Sequence, residues 1–362
     1  MYPDLKYFLE DIFKTEMPGF FGTIKTFGFF MAIAFLLSAW LLKKELQQKE
    51  RKGLLQPELV PFKKAKKYLS KEEKGKITAE SIPVYPHQRV GEIVVIALVG
   101  GLIGAKIFNA LETWDEFVRD PIASLFSGSG LTFYGGLIVA TTLIYYYCRK
   151  HKIEVVHFCD AIAPALMLAY GVGRLGCHFS GDGDWGVFNS AYVSLPDASI
   201  KQATVQDFNS AVAGALAYFN SNFGGIPHLS VAAPSGIPAW LVASNFPHNV
   251  NNEGIVNSNC IGDYCHMLPV PVFPTSLYEA VICILLFLLL WMVRNRFKYA
   301  LHLFGLYLIL NGIERFFIEK IKVNYKYDWG FIQPAQSEII SVCLAVTGVI
   351  ILLMYRKRKI KV

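Results

Sequence analysis

Two arginines stand where arginine is expensive. Arg174 lies in GVGRLGCHFSGDGDWG (171–186), directly after the apolar run AIAPALMLAY, and Arg315 lies inside the largely apolar stretch LILNGIERFFIEKIK (308–322). An ionisable residue within an apolar span is a functional candidate by default. A guanidinium stays charged and donates paired hydrogen bonds that match a phosphate. Asn311, Arg315 and Glu319 recur at i, i+4 and i+8 and so line one helix face, with Lys322 three residues further on. Arg315 and Glu319 have the spacing of an intrahelical ion pair. Two arginines on different helices at headgroup depth make a clamp for a phospholipid phosphate, and a nearby carboxylate can orient one of them. That chemistry leaves the reaction open.

Two more stretches lie at the same depth. Tyr134 precedes Gly135-Gly136 in SGLTFYGGLIVA (129–140), and Tyr278 and Glu279 follow Pro274 in FPTSLYEA (273–280). Each feature also has a structural reading. Arg174 can snorkel to headgroups. Arg315–Glu319 can lock two helices, with Lys322 snorkelling and Glu314 on another face. Tyr134 can anchor at the interface, and Glu279 can be a buried pairing partner. The glycines at 171, 173 and 176 allow close approach of a helix or a ligand. Asp182 and Asp184 read as solvated or paired with arginine, Asp160 as a partner for a neighbouring helix, and Pro164 as a kink. Cys177 reads as a packing residue. His178 reads as a packed or solvated histidine, with a general base as the rival reading.

The elements that must position these residues follow from composition. The chain is 53% hydrophobic and only 17% charged over 362 residues, and the apolar residues cluster into long runs. Seven segments are long enough to cross a bilayer, which takes about 20 residues each. They span roughly 20–42, 91–111, 131–148, 154–173, 276–293, 300–320 and 336–355, and without water such segments must be helices. The expected fold is an all-α polytopic membrane protein of about seven transmembrane helices, with a small external, periplasmic α/β subdomain. The whole of 1–362 reads as one membrane domain with two insertions, and no repeat stands out. Within the external insertion, AYVSL, HLSVAA and AWLVAS read as short strands and FNSAVAGALAYF as a helix.

Basic residues set the orientation. The segment 43–90 holds thirteen Lys and Arg, and CRKHK, RNRFK and the tail YRKRKIKV fall after spans three, five and seven. These share one side, the cytoplasm. The segment 187–275 contains Lys201 as its one Lys or Arg, which puts it outside. The N-terminus is then outside, the C-terminus cytoplasmic and the candidate residues toward the outer leaflet. The net charge of +7 reflects this topology, and no basic face interleaved with stacking aromatics points to nucleic acid. The basic linker 43–90 reads either as solvated or as drawn to anionic headgroups. The first twenty residues lack the basic n-region of a signal peptide, so span one is expected to serve as targeting signal and anchor. Of seven cysteines, Cys260 and Cys265 in CIGDYC lie on the outer side, where an oxidising compartment permits a disulfide; pairing stays open. No ligand spacing suggests a metal.

Together these stretches resemble a known family, the prolipoprotein diacylglyceryl transferases. GRLGCHFSGDGDWG resembles the family's glycine-, arginine- and asparagine-rich signature, and LTFYGGLIVA its H/Y-GGLIG segment. FPTSLYEA is similar to its HPTQLYE-type segment, and RFFIEKIK to its R-x-x-x-E-x-x-R block. The motifs come in the family's order and cover most of the chain outside 43–90 and much of 187–270.

The resemblance implies a bacterial inner-membrane enzyme that moves the diacylglyceryl group of phosphatidylglycerol onto the lipobox cysteine of a preprolipoprotein. A thioether forms and glycerol-1-phosphate leaves. Phosphatidylglycerol and lipobox signal peptides are the implied partners, with no cofactor and no metal. By position, the catalytic candidates are Arg174, Arg315, Tyr134 and Glu319. The substrate-binding candidates are Arg174, Asp182, Ser180, Gly186, Asn311, Lys322 and Glu279. Departures are visible. Cys177 and Ser180 replace asparagines, Asp182 a glutamate, Phe27 a tyrosine, Phe273 a histidine and Asn311 a tyrosine; Lys322 stands for a third arginine. The base stays open between Tyr134, His178 and none. The alternatives are an outward-facing phospholipid or anion transporter or binding protein, and an inactive lipid-binding scaffold.

Overall fold

The computed structural model describes residues 1–69, 80–126, 132–183, 185–223, 229–257, 260, 262–323, 327, 330 and 333–355. Asp184, residues 129–131 of the tyrosine motif and the basic tail from 356 lie outside them. Among the described residues, seven long helices occupy the seven expected segments. They are α1 (Thr26–Arg51), α2 (Val90–Glu112), α3 (Phe133–Lys150), α4 (Val155–Ser180), α5 (Thr275–Val293), α6 (His302–Lys320) and α7 (Gln336–Met354). α1 starts later than the apolar run and continues through KKELQQKER. Those lysines, glutamates and glutamines are good helix formers, and the helix stops just before Gly53, which takes φ +70°.

Among the described residues, five helices are long and apolar enough to cross a membrane: Thr26–Arg51, Pro86–Glu112, Val155–Ser180, Thr275–Val293 and Gln336–Met354. The protein is thus a helical, multi-pass membrane protein. α3 and α6 fall outside that group. α3 carries Thr141, Thr142, four tyrosines and a basic end, and α6 carries Glu314, Arg315, Glu319 and Lys320. Exposed Val281, Leu285, Leu288 and Met292 on α5, and Val342, Val346, Ile350 and Leu353 on α7, give these helices apolar outer faces.

The chain divides into two compact units. One comprises Met1–Leu36, Leu166–Asn295 and Gly305–Leu353; the other comprises Leu37–Ala165, Arg296–Phe304 and Met354–Val362.

In the second unit α2 and α3 pack through glycines. A Cβ on Gly104 would stand 2.4 Å from the Gly135 carbonyl oxygen, and one on Gly136 would stand 2.8 Å from the Gly101 carbonyl oxygen. The Gly135-Gly136 pair is therefore a helix-packing site. A core of Leu42, Leu46, Leu55, Ile93, Cys148 and Phe158 fills this unit. Asp160 accepts from the backbone N–H groups of Leu301 at 2.8 Å and Phe304 at 3.0 Å, so it caps the start of α6. Within 43–90, β1 (Glu58–Pro61) pairs antiparallel with β2 (Ser81–Val84) over buried Val60, Ala65, Ile82 and Val84.

In the first unit, α6 and α7 cross at glycines. A Cβ on Gly312 would lie 2.5 Å from the Ser341 carbonyl oxygen, and one on Gly348 would lie 2.6 Å from that of Gly305. Gly171 brings α4 against α5, 3.2 Å from the Ala280 carbonyl oxygen by the same measure. Between α4 and α5 the described residues form short strand pairs. β3 (Phe188–Asn189) runs parallel to β6 (Ser230–Val231), β4 (Tyr192–Ser194) pairs with β5 (Ile200–Gln202), and β7 (Ile255–Val256) with β8 (His266–Met267). Helices Val205–Gly214 and Leu216–Phe223 lie in the same stretch, over a core of Phe188, Phe219, Phe246, Leu268, Val270 and Val272. AWLVAS is not a strand. Ala239–Val242 is a helical turn begun at Pro238, whose carbonyl accepts from Leu241 N–H at 3.0 Å; proline's fixed φ suits that start. Cys260 and Cys265 form a disulfide.

Candidate active site

The candidate site of the first unit is organised around one carboxylate. Glu279 is the fifth residue of α5 and has no exposed surface. A buried charge is tolerable only when paired and hydrogen-bonded, and Glu279 is paired three times. Arg174 Nε lies 3.2 Å from its Oε2, Lys322 Nζ 3.0 Å from the same oxygen, and Arg315 Nη1 2.5 Å from Oε1. The Tyr170 hydroxyl donates to Oε1 at 2.9 Å. α4, α5, α6 and the residues just after α6 therefore converge on one side chain.

The surrounding contacts fix the cations. Arg315 Nη2 stands 3.6 Å from Glu319 Oε2, one turn along α6, and Glu319 is 1% exposed. The Arg174 guanidinium lies over the Tyr170 ring at 5.2 Å, a cation–π geometry. Lys322 is held by backbone: it bridges Gly186, and Val187 N–H donates to the Ile321 carbonyl at 2.9 Å. Gly186 N–H in turn donates to the Phe273 carbonyl at 3.1 Å. A Cβ on Gly186 would stand 2.3 Å from that oxygen, so only glycine fits. Burial pushes the Lys322 ammonium down to about 8, against the upward pull of Glu279.

The remaining candidates sit as follows. Asn311 lies one turn before Arg315, half-buried. Ser180 is fully buried and its hydroxyl donates to the Gly176 carbonyl at 2.8 Å. Asp182 accepts from the Asn251 amide at 3.2 Å. Cys177 follows Arg174 by three residues on α4 and is half-buried. His178 Nδ1 is 3.4 Å from Ser276 Oγ. Glu314 is buried, with neither oxygen hydrogen-bonded among the described residues. Tyr134, second residue of α3, belongs to the other unit. Arg174, Arg315, Glu319, Lys322 and Glu279 thus come together, with Gly186 positioning Lys322. Nothing in its residue type singles out Tyr170; its spacing of four from Arg174 is the signal, since the two share a helix face.

The family model for prolipoprotein diacylglyceryl transferase matches residues 72–354. The chain belongs to the prolipoprotein diacylglyceryl transferase family. Curated relatives named phosphatidylglycerol–prolipoprotein diacylglyceryl transferase agree with this. One from Leptospira interrogans is 25% identical over 88% of this chain and 77% of its own length. One from Finegoldia magna is 25% identical over 75% of this chain and 80% of its own. One from Xanthomonas oryzae pv. oryzae is 27% identical over 72% of each. The chain is accordingly an enzyme, a diacylglyceryl transferase of lipoprotein biosynthesis. Within the matched range, Arg174 and Arg315 meet on Glu279.

Proposed function

We propose that this enzyme transfers the diacylglyceryl group of phosphatidylglycerol to the lipobox cysteine thiol of preprolipoproteins, forming a thioether and releasing glycerol-1-phosphate. The observation that carries this reading is the convergence of Arg174, Arg315 and Lys322 on buried Glu279, built from three of the family's motifs. The thiolate attacks the glyceryl carbon that bears the phosphate ester. Charge then moves onto the departing phosphate, where pre-placed cations stabilise it without reorganising. An arginine has five N–H donors, more than one carboxylate consumes, so Glu279 can aim both guanidinium groups while they bind phosphate. Glu319 steadies Arg315, and Lys322 adds the third cation. Asp182, Ser180, Gly186 and Asn311 shape the headgroup pocket, and Tyr134 positions substrate or relays a proton. A free thiol has a pKa of about 8.5, and the arginines favour its thiolate form, which eases removal of the proton that the thiol must lose.

The same reading assigns seven membrane spans within one membrane domain, including α3 and α6. It places 43–90 on the cytoplasmic side and 187–275 outside as a periplasmic subdomain. The N-terminus is outside, the C-terminus inside, and the site faces the outer leaflet of the bacterial inner membrane. Its support is the alternation of basic segments along the chain. The test is one assay of purified enzyme with phosphatidylglycerol and a lipobox peptide. Mass detection of the thioether product is the expected result; a peptide left unmodified by folded enzyme overturns the reading.

A further inference from the structure

The reaction needs a second site, for the peptide thiol, within reach of the phosphate clamp. The first unit holds a cavity of about 430 Å³ lined by Tyr2, Tyr7, Asp11, His178, Phe179 and His248, together with Met1. His178 follows Arg174 by four residues on α4, and Ser276 precedes Glu279 by three on α5. Each pair shares its helix face. The His178–Ser276 contact is therefore the neighbour, one helical turn on, of the Arg174–Glu279 contact.

The cavity walls suit an apolar peptide bearing a thiol. Tyr2, Tyr7 and Phe179 supply rings, and sulfur packs favourably against ring edges. The Tyr2 hydroxyl is fixed on Asp11 at 2.5 Å, and Asp11 also pairs with Lys14, so that carboxylate is already committed. The backbone holds the wall shut: Tyr2 N–H donates to the Phe179 carbonyl at 2.7 Å. Beside the cavity, the helix Leu5–Phe13 leaves Ile12 and Phe13 more than half exposed, at 55% and 60%, an apolar edge for a membrane-embedded segment.

Resting on the transferase reading above, we propose that this cavity is the acceptor site for the cysteine-bearing peptide and that His178 is the base that takes the thiol proton. With Nδ1–H donated to Ser276 Oγ, Nε2 keeps the lone pair that accepts it. The sulfur forms its bond to the glyceryl carbon, the carbon–oxygen bond to phosphate breaks, and that electron pair leaves on the phosphate oxygen. The proton on His178 then passes to the departing phosphate, which restores the neutral ring.

The test uses full-length enzyme in phosphatidylglycerol micelles with two lipobox peptides, one bearing cysteine and one bearing selenocysteine. A selenol ionises without help near neutral pH, so it has no need of a base. His178→Asn should lower kcat with the thiol peptide by about 10²–10⁴-fold, leave KM for phosphatidylglycerol unchanged, and recover to within a few-fold of wild type with the selenol. His178→Gln repeats the test should the first variant fail to reach the membrane. Tyr7→Ala should raise KM for the peptide alone. Full thiol activity in His178→Asn, or a loss that the selenol does not restore, overturns the proposal while the transferase reading stands. A wild-type enzyme that modifies neither peptide overturns that reading instead, and this proposal with it.

Discussion

Glu279 decides how the candidate site is put together. Two arginines and a lysine buried without a counter-charge would repel one another, and removing one partner from a buried ion pair costs about 3–5 kcal/mol. Glu279 holds them 2.5 to 3.2 Å from its oxygens, and on the proposed reading this pre-places them for a phosphate. Lys322 gives this arrangement a pH signature. Its folded value of about 8 lies below the 10.5 of a free lysine, so its charge is fully present well below pH 8 and is lost as pH rises through 8. Transfer by the wild type, divided by transfer by Lys322→Arg at the same pH, should therefore fall above pH 8, because arginine stays charged. The ratio cancels the thiol's own titration, which both enzymes share. A flat ratio from pH 6 to 10 would remove Lys322 from the charge account. The arginines and Glu319 were legible in sequence because a charge in an apolar run has to be explained. Glu279 was legible as a buried pairing partner and, through the resemblance, as a substrate-binding candidate; its central place was not, since its three companions come from elsewhere in the chain. Tyr170 was hidden because a tyrosine near a span end is ordinary.

At the scale of elements, close helix approach sets where the charged residues stand. α6 carries Arg315 and Glu319, and its glycines at 305 and 312 let α7 approach. Lys320 adds an ion pair to Glu338 at 2.9 Å. Gly312→Ala should destabilise the protein by about 1–3 kcal/mol, the usual cost of overpacking. It should also reduce transfer by shifting Arg315, which a melting curve and a rate measured side by side would check. An unchanged melting temperature would mean the α6–α7 contact yields freely. The seven helices followed from apolar run length, which is why their positions were readable. Their ends were less so, as α1 shows by running on to Arg51: charged helix formers continue a helix that hydropathy alone would end at 42. The turn at Ala239–Val242 was misread because a short apolar run has no period long enough to separate strand from helix.

At the scale of the whole molecule, the account commits to a topology. A reporter that fluoresces only in the cytoplasm should be bright when fused after residue 362 and dark when fused ahead of residue 1. A membrane-impermeant thiol reagent applied to intact cells should label a cysteine introduced at Trp240, which is 67% exposed. The opposite pattern would move the site to the other leaflet. The orientation rests on charge asymmetry along the chain. Of the small strands, AYVSL and HLSVAA were legible as β4 and β6, whereas helix packing and strand pairing were not, because they depend on contacts distant in sequence. The disulfide Cys260–Cys265 was compatible with the sequence but not demanded by it.

The central claim is that Arg174 and Arg315 act on the phosphate. Its most direct test is the rate of thioether formation by Arg174→Ala and Arg315→Ala enzyme, with phosphatidylglycerol and a lipobox peptide, each variant shown to be folded and inserted. The account predicts a loss of about 10²–10³-fold in kcat for each. Turnover at the wild-type rate by either folded variant would contradict it.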